Sequence, residues 1–501
     1  MTAGAAATVP DGQDLLELTL GPIAHGGHTV ARHEGRVVFV RHGIPGERVR
    51  VRITEASPSA SFWRGDVVDV LTASADRRAH PWAEADALAA ANAGSLPVGG
   101  AEFGHIALPR QRELKREVLA EQLRRLAGMD VDAPGDSGLP ALAVEAAPGE
   151  DPAGLHWRTR VTFDVTADGR AGMHPHRSDV VLPVATMPLG VPAVDALGLA
   201  GIDLTGAARV EVAVPSGAAG ADGTAGSAGP PLVTLFPAVD TDGADGARDL
   251  REAALQRIAA ALPGASVCWH DPVTRQIHAL RGDPWVTERV GDRHYRVTGD
   301  GFWQVHRAAP EVLTGAVRDA LDPVGGLTVQ DLYAGAGLFS GLLATAGAAV
   351  TSVEAAPAAS ADAAYNLADL AAVTVRHGDV ARYLGGPPAG RSGARRGGSR
   401  GRPRHGRARG PAEPPAPSTP AAVDAVVVDP PRVGLDRRVT DRLIAAPPAR
   451  LAYVSCDPAS FARDLGRFRT AGWRLHTLRA FDLYPDTHHL ESFALLTPPG
   501  R

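Results

Sequence analysis

Cysteine is scarce in this chain: Cys268 and Cys456 are its only two among 501 residues. Two isolated thiols make neither a disulfide framework nor a zinc-ligand spacing, which fits a reducing compartment and leaves no basis for a structural metal. The first residues, "MTAGAAATVPDGQD", lack a basic segment leading into an apolar one, and no apolar run approaches the about 18 residues of a membrane span. A cytoplasmic protein with no membrane partner is expected. The phosphate-binding pattern GxxxxGK[ST] is missing, which argues against ATP hydrolysis. A net charge of −5 carries no global signature of nucleic-acid binding, so local patches matter more than the sum.

What is present is a globular composition, 44% hydrophobic and 21% charged, long enough for about two to four domains. Residues 14 to 73 hold short alternating or β-branched runs punctuated by Gly and Pro, which predicts a small five-stranded barrel, with the unit bounded at 10–74. Its polar positions carry Arg32, Arg36, Arg41, Arg48, Arg50, Arg52 and Arg64, with Phe39, Phe62 and Trp63 between them. That mixture suits either phosphate contacts with base stacking or an ordinary solvated face. The segment 110–127 is an amphipathic helix with Leu114, Val118, Leu119, Leu123 and Leu126 on one half. A β-rich region follows from about 140 to 290, interrupted by the Gly-rich stretch 214–231, expected to be a flexible surface loop.

From residue 293 the pattern becomes strands alternating with helices. Seven strands are expected at 327–333, 348–354, 372–377, 423–429, 450–455, 473–483 and 492–497. The apolar "AVVV" of the fourth predicts burial on both faces, hence a doubly wound, mostly parallel α/β sheet, with the last two strands as an antiparallel edge. The stretch 385–420, rich in Gly, Pro and Arg, is expected to be a disordered insertion, read as a basic RNA-binding loop or as a tolerated surface insertion.

The chemistry gathers on one edge of this sheet. "DLYAGAGLFS" places Gly335 and Gly337 between a strand and a helix, where a ligand approaches the backbone and the helix N-terminus. Glu354 ends the next strand, suited to both hydroxyls of a ribose; Asp379 and Asp429 end the third and fourth. A glycine turn and carboxylates on successive strand ends point to an adenosine-type cofactor. Cys456, in "VSCDPASFARDL", ends the fifth strand just before a helix, where a thiol pKa can be depressed. Cys268 reads instead as a small buried hydrophobe.

"DLYAGAGLFS", "VVVDPPRVGLD", "LAYVSCDPASFARDL" and "DLYPDTHHLESFALL", in this order, resemble the S-adenosylmethionine-dependent RNA uridine-5-methyltransferase family. The barrel resembles the TRAM domain, an oligonucleotide-binding type of barrel, and "GFWQVH" resembles the family's "FFQVN" segment. The resemblance implies a central domain at 75–292 and a methyltransferase domain at 293–501. It implies S-adenosyl-L-methionine as methyl donor, Cys456 as the nucleophile that adds to carbon 6 of uracil, and Glu491 as the base that removes the carbon-5 proton. Gln304, Tyr333, Glu354, Asp379 and Asp429 match positions that contact the donor or the target base. Arg432 is read either as a ligand for a phosphate or base carbonyl or as a structural salt bridge.

Two departures stand out. Many relatives carry clustered cysteines between barrel and amphipathic helix that bind an iron–sulfur cluster; residues 80–111 have none, so no cluster is expected. Ala334 and Leu338 stand where relatives often have cysteine and asparagine, and Leu338 removes one polar contact to the donor. RNA is the expected partner, ribosomal rather than transfer RNA by family analogy, and the protein is expected to be a monomer. The competing reading is an RNA-binding protein that keeps the fold without the reaction. Cytosine-5 methylation is disfavoured because Pro430 and Pro431 precede Arg432 rather than a cysteine.

Overall fold

The computed structural model describes residues 15–57, 59–133, 140–216, 229–238, 245–385 and 423–500. The insertion expected at 385–420 lies outside them apart from Gly385, as does most of the loop expected at 214–231.

The N-terminal sheet has six strands, one more than expected, because the two-residue strand Ile23–Ala24 joins its edge beside His28–His33. In the strand Arg48–Glu55, "RVRVRITE", Val49 and Val51 point inward and Arg48, Arg50 and Arg52 outward, the period-2 signature of a half-buried strand. A tight hairpin joins His28–His33 to Arg36–Arg41, with positive φ at both Glu34 (47°) and Gly35 (82°). One expectation for this face fails. Trp63 is not available for stacking, because it is fully buried in the barrel core with Val38, Val40, Val49 and Val51. Four of the face's seven arginines pair with carboxylates, with Arg41–Asp66 at 2.6 Å, Arg48–Glu17 at 3.0 Å, Arg50–Asp69 at 3.1 Å and Arg64–Glu55 at 2.5 Å.

Helix α1 (Leu108–Gln122) runs into a wider π-type turn, Leu123–Ala127, ended by Gly128 in the left-handed region. Leu114, Leu119 and Leu123 are fully buried, but Leu126 is exposed, because the wider turn rotates it off the apolar stripe. Lys115 is buried and bonds Asp482 at 2.5 Å and the Tyr484 carbonyl at 2.9 Å. The central region forms a seven-stranded sheet, and the hairpin Trp285–Val290 and Arg293–Thr298 leans on the helix Pro357–Asn366 through Arg296 and Asp362, 2.9 Å apart.

The C-terminal sheet contains the expected strands β1 (Thr328–Leu332), β2 (Ala349–Glu354), β3 (Val373–His377), β4 (Ala425–Val428), β5 (Arg450–Ser455), β6 (Arg474–Asp482) and β7 (Glu491–Thr497). Their order is β3-β2-β1-β4-β5-β7-β6, parallel from β3 through β5, with β7 antiparallel to both its neighbours. The final pair is antiparallel as expected but not terminal: Val144–Ala146 adds an eighth strand, parallel to β6. Along β4 and β5, Val426, Val428, Leu451 and Tyr453 pack on one side with α1 and helix α3 (Pro458–Thr470). Ala425, Val427, Ala452 and Val454 pack on the other with the helix Ala309–Leu321. Both faces of β4 are therefore buried, and the strand order reverses between β1 and β4, which opens a crevice at their carboxyl ends.

Candidate active site

The glycine turn after β1 is held open by the next strand. Glu354, the last residue of β2, accepts the Gly335 N–H at 2.9 Å through Oε2 and the Ala356 N–H at 2.6 Å through Oε1. Tyr333 (φ 65°), Gly335 (φ 55°) and Gly337 (φ 92°) all adopt left-handed backbone, and Gly337 caps helix α2 (Leu338–Thr345). The positive φ favours glycine at 337, and a Cβ there would also press on the Leu367 side chain at 2.8 Å. Asp379 is exposed and caps the short helix after β3 by accepting the Arg382 N–H at 2.9 Å. Leu338 is buried with Tyr295, Val297 and Trp303 in an apolar cluster.

Below the turn lies a group of carboxyls. Asp331 on β1 is buried; Oδ2 accepts the Ser340 N–H at 2.9 Å and hydroxyl at 2.7 Å, and Oδ1 has no partner. Burial raises it to about 6. Asp429, just beyond β4, accepts the Gln304 side-chain N–H at 3.1 Å and is raised to about 7 by burial and by the nearby Asp331. Glu491, first residue of β7, is buried; Oε2 accepts the Tyr484 hydroxyl at 3.1 Å and Oε1 has no partner. Burial and Asp429 hold it well above the usual carboxylate range. Sequence reasoning missed Asp331, although it is the first residue of the "DLYAGAG" motif.

Cys456 comes directly after β5 and is half-buried. It lines a cavity of about 230 Å³ together with Arg432, Asp457 and His489, with His25 and Gly27 of the barrel, and with Lys115 of α1. The expected depressed thiol pKa is not found: burial, then Glu491 and Asp429, push Cys456 up to about 12, with Arg432 opposing them. The N-terminus of α3 gives no help because Asp457 already caps it, accepting the Ser460 N–H at 2.7 Å. Arg432 is exposed and approaches His489 at 3.4 Å, a partner that makes no salt bridge.

The structure thus brings Cys456, Glu491, Asp429 and Gln304 into one electrostatically coupled site, while Tyr333, Gly335, Gly337, Glu354 and Asp379 line the β1–β3 ends. Buried carboxyls with raised pKa beside an open glycine turn suit a cationic sulfonium attached to an adenosine. Fold and site together define a class I methyltransferase that uses S-adenosylmethionine.

Comparisons with known proteins narrow this. A profile described as tRNA (uracil-5-)-methyltransferase matches residues 419–498, and one for the TRAM domain matches residues 15–68. An uncharacterized RNA methyltransferase of Streptomyces avermitilis is 37% identical, over 97% of this chain and 98% of that one. A 23S rRNA (uracil(1939)-C(5))-methyltransferase of Chromohalobacter salexigens is 29% identical, over 97% of this chain and 90% of that one. The crystal structure of a Pyrococcus abyssi tRNA (uracil-54, C5)-methyltransferase superposes with a TM-score of 0.61 at 18% identity, covering 96% and 99% of the two chains. The chain belongs to the TRAM-domain-containing, S-adenosylmethionine-dependent RNA uracil-5-methyltransferase family. Among the described residues no helix is long and apolar enough to cross a membrane.

Proposed function

We propose that this enzyme methylates carbon 5 of a uridine in ribosomal RNA through a covalent adduct with Cys456, with Glu491 as the base that completes the reaction. The observation that carries the reading is the meeting of these two residues, 35 positions apart, in one buried site where Glu491 keeps an unpartnered oxygen. Carbon 5 of uracil is too poor a nucleophile to accept a methyl unaided, so the Cys456 sulfur adds to carbon 6 and the C5–C6 double-bond electrons become an enolate. The thiol first gives its proton to solvent in the cavity, a step that Arg432 favours and that Glu491, Asp429 and Asp457 oppose, which leaves Glu491 free for the later step. Carbon 5 then takes up the methyl; Glu491 removes the carbon-5 proton, the double bond re-forms, and the cysteine departs with its electron pair. A stacked uracil cannot meet both groups, so the base is extruded into the cavity.

S-adenosylmethionine supplies, when bound, a methyl group on a sulfonium centre. We assign its adenosine to the Gly335–Gly337 turn, Tyr333, Glu354 and Asp379, and its reacting end to Gln304 and Asp429. Ribosomal RNA is preferred because of the TRAM domain and the full-length relative named for 23S rRNA. The test is incubation of the protein with methyl-labelled S-adenosylmethionine and unmodified ribosomal or transfer RNA, followed by nucleoside mass spectrometry. Labelled 5-methyluridine in ribosomal RNA is the expected result. Label in transfer RNA alone overturns the substrate, and binding without label supports the RNA-binding reading instead.

A further inference from the structure

The barrel is set directly on the catalytic segment. His25, at the turn after Ile23–Ala24, lies 2.9 Å through Nε2 from Oδ2 of Asp457, the residue next to Cys456 in the chain. Asp457 is thereby bound twice, since its Oδ1 caps α3 through the Ser460 N–H. Two residues further along the same turn, Gly27 (φ 77°) fits so closely that a Cβ would stand 2.8 Å from His488 and 3.2 Å from Phe103. His488 is three residues before Glu491, so one barrel turn touches both segments that carry the reacting groups. The same turn closes one side of the Cys456 cavity.

Cys456 has support on its strand side, where Ser455 is paired with Ser492 of β7. On its helix side the first anchor is Asp457, and that anchor is shared with the barrel. A half-exposed His–Asp contact contributes little stability by itself. Its geometric effect is larger, because catalytic rates respond steeply to sub-ångström displacement of a nucleophile.

We propose that His25 is a positioning residue for the nucleophile: through Asp457, the barrel fixes the segment bearing Cys456 and covers its thiol. The barrel is then part of the catalytic apparatus as well as an RNA-binding attachment. The proposal rests on the assignment of Cys456 as nucleophile, and its test separates the two.

The test compares wild type, His25→Ala and His25→Gln by steady-state methylation of RNA and, in the free protein, by iodoacetamide labelling of each cysteine read by peptide mass spectrometry. His25→Ala is expected to lower kcat about tenfold with the RNA KM within about twofold, because positioning rather than binding is lost. Cys456 labelling is expected to rise at least about threefold as its cover loosens, while fully buried Cys268 stays unlabelled and reports an intact fold. His25→Gln, which keeps a donor, is expected to recover most of both properties. An unchanged kcat with raised KM, unchanged Cys456 labelling, a glutamine variant no better than alanine, or parallel labelling of Cys268 overturns the proposal. Should wild type form no 5-methyluridine, the uridine reading fails, and the labelling comparison still decides whether the barrel covers Cys456.

Discussion

The two cysteines make a natural experiment within one chain. Cys268 lies in the central sheet, fully buried, 3.3 Å from the Thr234 hydroxyl, and burial lifts its thiol to about 11. Cys456 lies at a strand end, half-buried, and burial together with Glu491 and Asp429 lifts it to about 12. Acidity therefore does not distinguish the proposed nucleophile from the other cysteine. Access and neighbours do: Cys456 opens on a cavity that it shares with Arg432, whose charge favours the thiolate, whereas Cys268 has a hydroxyl and the sheet around it.

The largest expected break in the comparison is the pair of alanine variants. Cys456→Ala should lower the methylation rate at least about ten-thousandfold, as loss of a covalent nucleophile does. Cys268→Ala should change the rate less than about twofold and cost about 1 kcal/mol of stability, measured by denaturant unfolding.

Next is the source of the raised thiol. Asp429→Asn removes one of the charges holding Cys456 up, so iodoacetamide should label Cys456 faster at pH 8, by about tenfold for each unit of pKa lost, while Cys268 is unaffected. Equal labelling before and after the substitution would mean that burial and Glu491 set the thiol without Asp429.

A smaller effect concerns pH and stability. In the folded protein Asp331 and Asp429 hold their protons to about 6 and about 7, against 3.8 as the ordinary value. Between these limits the folded state binds more protons than the unfolded one, so stability is full below the ordinary value and is lost as pH rises through 6 to 7. The melting temperature of the free protein should fall from pH 5 to pH 8 by the equivalent of about 1 kcal/mol or more, and Asp429→Asn should flatten that slope.

Much of this site is legible in the sequence because its signals are local. "AVVV" before Asp429 announces a doubly buried strand, and "AGAG" announces a tight turn into a helix. Asp429 and Cys456 come just after the strands their motifs suggest, but the thiol's acidity is the reverse of what its position implies. The helix N-terminus that would lower it is already capped by the neighbouring Asp457, and burial outweighs what remains. Non-local facts leave no trace in the sequence. The burial of Lys115 depends on Asp482, and the barrel meets the segment of Cys456 through a contact between residues 432 positions apart. Trp63 reads as a stacking platform because alternation assigns a face without saying which face is inside. The insertion of β7 between β5 and β6 is likewise a matter of pairing between strands rather than of either strand's composition.

The central claim is that one of the two cysteines bonds to RNA. Glu491→Gln keeps the shape of the site but removes the base needed for release, so the adduct should accumulate. The direct measurement is incubation of Glu491→Gln with RNA and S-adenosylmethionine, denaturing electrophoresis, and mass spectrometry of the cross-linked tryptic peptide. The account predicts a stable protein–RNA species attached to the peptide 451–463, which contains Cys456, and its disappearance in Cys456→Ala/Glu491→Gln. A cross-link that persists without Cys456, or active wild type with no adduct in the glutamine variant, would contradict it.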